Sequence, residues 1–251
     1  MKDKQGAKDG RDLKVEQRAR DVVPDADKGQ VAAFLAKTKL VRQAHAAKGL
    51  KPTSGHLIFA LDATMSRQPT WDVACSLQSE MFSVASQHGG LATQLVYFRG
   101  TAECRASRWT REAADMVRWM ERFDCRAGRT QLGRILQHVK TESQKSKINA
   151  VVYVGDNLEE NPDEIVGLAG DIALKGIPVF VFQEGSDPLA SVIFRDIARL
   201  TGGAYGQFDS HAKNKLADYL KGIAAYAATG GDVSLLPPEL KKQVRKLNSP
   251  D

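Results

Sequence analysis

The chain has 251 residues, 42% hydrophobic and 26% charged, with a net charge of +6. That composition is ordinary for a soluble globular protein, and a folded part of roughly 200 residues buries about 70% of its unfolded surface without staples. Cys75, Cys104 and Cys125 are widely spaced, which excludes a disulfide framework and a CxxC zinc pattern; no secretory h-region and no apolar run of about 18 residues is present, so a cytoplasmic protein is expected.

Residues 1–27 mix both charge signs with few apolar side chains and read as a disordered charged segment. Residues 28–54 read as an accessory helix, with Val31, Phe34, Leu35 and Val41 at helical spacing, followed by the turn-rich linker GLKPTSG. Between Lys28 and Leu61 there are basic residues and no acid. The arm lacks interleaved aromatics that would stack on bases, which argues against a nucleic-acid ligand and for a solvated helix face.

From residue 55 the pattern becomes regular. HLIFALD is a continuous apolar run of the kind buried on both faces of a parallel sheet. A helix from Pro69 to about Gln87 follows, with Val73, Leu77, Met81 and Val84 inward and HGG ending it. TQLVYF is a second strand, and ECRASRW a short strand folding back antiparallel after a tight turn. Helices are expected over 113–123 and 131–141. INAVVYVGD, IPVFVFQ and AYGQFD are further strands. Asn161, Pro162 and Glu164 mark the start of a helix between the first two of these, and a helix follows each of the other two. This alternation predicts an α/β fold: a doubly wound, mostly parallel Rossmann-like sheet with helices on both faces and one short antiparallel edge strand. The domain is assigned to 55–228, and 229–251 is a tail with a short basic helix.

Chemistry should sit outside the carboxyl ends of the strands, where such sheets bind ligands. Asp62, Thr64 and Ser66 follow the first strand, Thr130 precedes a helix, and Asp156 ends INAVVYV. Two carboxylates and three hydroxyls are all oxygen donors, the set a hard cation takes. Taken singly, Thr130 reads as a helix cap. Glu159 and Glu160 read as solvated loop acids, and Arg67 and Arg129 as charges on the rim.

In this order, Asp62-Ala-Thr64-Met-Ser66, Thr130 and Asp156 resemble the metal-ion-dependent adhesion site of von Willebrand factor type A (VWA) domains. That family's signature is Asp-x-Ser-x-Ser, a distant Thr and a distant Asp. The resemblance covers about residues 55–227. Thr64 stands where the family usually has serine, and Asp156-Asn157 where it often has Asp-Gly. It implies a magnesium ion, with manganese as an alternative. Thr64 and Ser66 would bind it through their hydroxyls, and Asp62, Thr130 and Asp156 directly or through water. It further implies a non-enzymatic module that captures an acidic side chain of a partner protein, with Arg67 and Arg129 on the rim. Intracellular members of the family work beside AAA-type ATPases or chaperone-like assemblies.

The competing reading is an enzyme. VVYVGDN also resembles the last motif of haloacid-dehalogenase-type phosphatases, with Asp62 as the nucleophile. Thr64 stands where that family's general acid is expected, and a helix begins almost at once where a cap would be inserted. GRTQLGR lacks P-loop spacing, so nucleotide hydrolysis by that route is not expected.

Overall fold

The computed structural model describes residues 55–64, 68–122, 125–208 and 213–248. The expected accessory helix and the residues Ser66 and Arg67 lie outside them.

Six strands form one sheet: β1 (Gly55–Asp62), β2 (Leu91–Arg99), β3 (Glu103–Ala106), β4 (Ala150–Gly155), β5 (Val179–Glu184) and β6 (Tyr205–Phe208). Their order is β3-β2-β1-β4-β5-β6. All neighbours run parallel except β2 and β3. The central strands β2 and β4 are buried at every position because helices cover both faces; β4 is apolar throughout, and β2 mostly so, with Thr93, Gln94 and Arg99 also buried. Ile58, Ala60, Val96, Phe98, Val151, Tyr153, Val179 and Val181 share one core with α4 (Leu132–Glu142), α5 (Pro162–Ala173) and α6 (Pro188–Thr201). The alternate positions face α1 (Gln68–Ser76), α2 (Gln78–Gln87), α3 (Ala113–Met120) and α7 (Lys213–Ala228). Trp71 is part of that second layer. It is 3% exposed, meets Tyr97 edge-on, and donates its indole N–H to the Met120 carbonyl at 3.1 Å.

Two elements depart from the expected pattern. The single helix over 69–87 is two helices, α1 and α2, breaking at Leu77. There the Gln78 side-chain amide donates to the Ala74 carbonyl at 2.8 Å, and the Ser76 hydroxyl to the Val73 carbonyl at 2.7 Å. Side chains competing for main-chain acceptors loosen the ladder at that point. The strand over 103–109 stops at Ala106. Ser107 still donates to the Leu95 carbonyl, and Thr93 and Thr110 exchange both main-chain bonds. Arg108 and Trp109 therefore stand opposite the single residue Gln94, a bulge that bends the edge.

The helix punctuation is as expected. Asn161 caps α5 by accepting from Asp163 N–H at 3.0 Å, with Pro162 in the first turn. Gly202 ends α6 in the left-handed region at φ 74°. A final helix, α8 (Pro238–Asn248), packs against the outer edge of β6. Its Gln243 amide accepts from Tyr205 N–H and donates to the Tyr205 carbonyl, both at 2.9 Å. It thus takes up an edge pairing site that a further strand would otherwise use. Among the described residues, no helix is long and apolar enough to cross a membrane.

Candidate functional site

The chain leaves β1 toward β2 on one side and later returns to β4 on the other. That reversal opens a crevice outside the carboxyl ends of β1 and β4. Leu61 is level with Val154. Continuing the register by one residue sets Asp62 beside Gly155, immediately before Asp156. The two aspartates therefore leave adjacent strands, whose axes are spaced about 4.8 Å, at the same rim.

A cleft of about 270 Å³ occupies this point. Asp62, Thr64, Thr130 and Asp156 line it together with Asn157 and Glu159. Four of the five expected oxygen-bearing residues are thus brought together; the fifth, Ser66, lies outside the described residues. Arg129 is exposed on the loop that walls the cleft.

The walls are tied to one another by the main chain. Asp62 is 3% exposed, and its Oδ1 accepts from Thr64 N–H at 2.8 Å, turning the chain sharply as β1 ends. Ala63 N–H donates to the Phe98 carbonyl at 2.9 Å, and Arg126 N–H to the Ala63 carbonyl at 3.0 Å. Arg129 N–H reaches the Gly100 carbonyl at 3.1 Å. A side chain at Gly128 would place its Cβ 2.1 Å from that same carbonyl oxygen, so only glycine lets the two loops close. Beneath Asp156, the fully buried Gln183 donates to the Asp156 carbonyl at 3.3 Å and the Asp187 carbonyl at 3.0 Å. Its Oε1 accepts from the Ser191 and Tyr205 hydroxyls at 2.8 and 2.6 Å.

Thr130 does not cap α4. Gln131 holds the cap position and makes no capping bond with its side chain. The cap comes from Glu160, which reads as a solvated acid in the sequence. Its carboxylate accepts from Leu132 N–H at 2.5 Å and Gly133 N–H at 2.9 Å. The negative charge suits the partial positive end of the helix. With that role filled from another loop, the Thr130 hydroxyl accepts from Glu159 N–H at 2.9 Å and faces the cleft. The sequence signal for Gln183 was an amide ending an otherwise apolar strand. Glu160 carried none, since its partners lie 27 and 28 residues away.

Among the described residues, no three His, Cys, Asp or Glu side chains gather into a chelating cluster. The cleft instead mixes carboxylates with threonine hydroxyls. Oxygen donors without nitrogen or sulfur fit a hard divalent cation that keeps some of its waters.

No protein-family model matches the sequence, and no curated protein is significantly similar to it. The fold does have solved counterparts. A von Willebrand factor type A structure from Catenulispora acidiphila is similar with a TM-score of 0.55 and 18% identity. That likeness covers 70% of this chain and 43% of that one, so this chain spans less than half of its length. The SpRpn10 VWA domain is similar at 0.52 and 13% identity, over 66% of this chain and 95% of that one. An aerotolerance-related membrane protein from Bacteroides fragilis is similar at 0.50 and 18% identity, over 66% and 98%. The six-stranded sheet, with one antiparallel strand and helices on both faces, matches the Rossmann-like VWA fold.

Proposed function

We propose that the cleft binds a divalent cation, magnesium or manganese, and that the protein is a binding module whose target is an acidic side chain of another protein. The observation that carries this reading is the meeting of Asp62, Thr64, Thr130 and Asp156 at the reversal point between β1 and β4. In this reading Ser66 completes the donor set, residues 55–228 form the module, and it acts in the cytoplasm, where an AAA-type ATPase or chaperone-like assembly is a candidate partner.

The chain's own contributions follow from the geometry. Asp62 and Asp156 supply negative charge from two rigid strand ends. Thr64 and Thr130 supply neutral oxygens. With two carboxylates and otherwise neutral donors, a bound divalent ion keeps enough positive charge to take one more carboxylate. The hydrogen bonds of Asp62 to Thr64 and of Thr130 to Glu159 hold the loops so that little ordering is left for binding. Arg129 on the rim favours approach of an acidic partner.

A magnesium-dependent phosphatase with Asp62 as nucleophile is the rival. Against it, α1 starts at Gln68, six residues after Asp62, where a cap would be inserted, and Thr64 puts a weakly acidic hydroxyl where a carboxylic acid would protonate the leaving group. The test is titration calorimetry with manganese on the full chain. Asp62→Ala and Thr130→Val should each weaken binding at least tenfold, on the scale of losing one charge-assisted contact. Unchanged affinity in both variants overturns the reading. Turnover of a generic phosphate ester that disappears in Asp62→Asn establishes the rival.

A further inference from the structure

A second groove, of about 600 Å³, runs beside β3, away from the cation cleft. Its lining includes Leu95, Tyr97, Glu103, Arg105, Arg108 and Trp119. Residues 99–134 contain nine arginines and no lysine, against five acids. The fold places Arg105 and Arg108 at the groove, both exposed. Arg99 engages Glu103 through Nε and Nη2 at 3.0 and 3.1 Å. That hydrogen bond, helped by the nearby charges of Arg105 and Arg126, holds the Glu103 carboxyl below the usual carboxylate range. Arg105 Nε also lies 3.9 Å from the same carboxylate, so among the described residues the one acid lining the groove faces two guanidinium groups, and Arg108 adds a third positive charge.

The same place carries an open pairing edge. In the sheet order β3 is terminal, and among the described residues no strand pairs with its far side. Hydrogen-bonded and non-bonded pairs alternate along an antiparallel ladder. Ser107 bonds to Leu95, so the Arg105–Tyr97 and Glu103–Arg99 pairs are the bonded ones. The Phe98 carbonyl goes to Ala63 instead, which agrees. Cys104 and Ala106 therefore direct their N–H and C=O groups outward, and Ala106 is exposed.

We propose that the outer edge of β3 and this groove bind an extended acidic segment of a partner protein, added to the sheet as a further strand. Main-chain bonds to Cys104 and Ala106 fix it, its carboxylates meet the forks of Arg105 and Arg108, and an apolar side chain rests on Trp119. Arginine suits carboxylates here because its planar fork binds them two-pronged. A single-stranded nucleic acid fits less well. Such ligands need successive ring faces, and of the two aromatics in the groove Tyr97 is only 3% exposed.

The test is fluorescence anisotropy on the full chain with a labelled peptide of alternating glutamate and valine. Controls are an alternating lysine–valine peptide and a short oligothymidylate, each with and without chelator. The acidic peptide should bind, the basic one should not, and chelation should change nothing. That last arm separates this edge from the cation cleft. Arg105→Glu combined with Arg108→Glu should weaken binding at least tenfold. Ala106→Pro should abolish it while sparing the β2 ladder, because the Ala106 N–H points outward; circular dichroism verifies folding, and the arginine pair decides if the proline variant unfolds. Three results would each overturn the proposal: equal binding of both peptides, peptide binding untouched by the arginine pair, or binding of oligothymidylate in place of the acidic peptide.

Discussion

Replacing Glu160 tests whether the cleft is held by a cap borrowed from another loop. Its carboxylate accepts from the first two main-chain N–H groups of α4, at 2.5 and 2.9 Å, while the residue in the cap position offers no side-chain bond. Removing a cap costs about 1 kcal/mol, and losing a charge at the helix start adds roughly 0.3–1 kcal/mol for a partly exposed group. Glu160→Ala should therefore cost about 1.3–2 kcal/mol, the sum of these two effects. For a domain of this size each kcal/mol moves the midpoint by about 2–4 °C, so thermal unfolding followed by circular dichroism should shift down by roughly 3–8 °C. Glu160→Gln keeps an acceptor and loses the charge, and should fall between the variant and the parent. Manganese affinity should drop with the alanine variant as well, because the same carboxylate joins the loop after β4 to the start of α4. A loss below about 0.5 kcal/mol, the range of ordinary surface changes, would refute the idea that this contact anchors the two loops.

Gln243→Ala removes both bonds to the Tyr205 main chain. It should lower stability by about 1–3 kcal/mol, read by denaturant unfolding, since a main-chain donor and acceptor lose their partner. Cys75 is half-buried, and burial first, then the charges of Glu121 and Asp72, push its thiol up to about 11. Iodoacetamide should therefore label it slowly at pH 8 in the folded protein and at the ordinary thiol rate when unfolded. The sign for stability follows. The unfolded thiol releases its proton near pH 8.5 and the folded one near 11, so this contribution is intact below the first value and fades as pH climbs toward the second.

Strand identity and order of elements were legible in the amino-acid sequence, because a strand covered on both faces shows as a continuous apolar run, as in LIFAL of β1 and AVVYVG of β4. The start of α5 was equally legible, since Asn161 and Pro162 act within one turn. The break at Leu77 was not. It turns on whether Gln78 bonds to solvent or back to Ala74, a choice that a helical hydrophobic stripe does not record. The oxygen donors could be named one by one from their positions at strand and helix ends, yet their meeting depends on register. Asp62 and Asp156 are 94 residues apart in the chain and become neighbours only because β4 pairs with β1. Glu160 shows the same limit most sharply. An exposed-looking acid became the cap of a helix because a distant loop folded back against it, and no local propensity encodes a contact made across that separation.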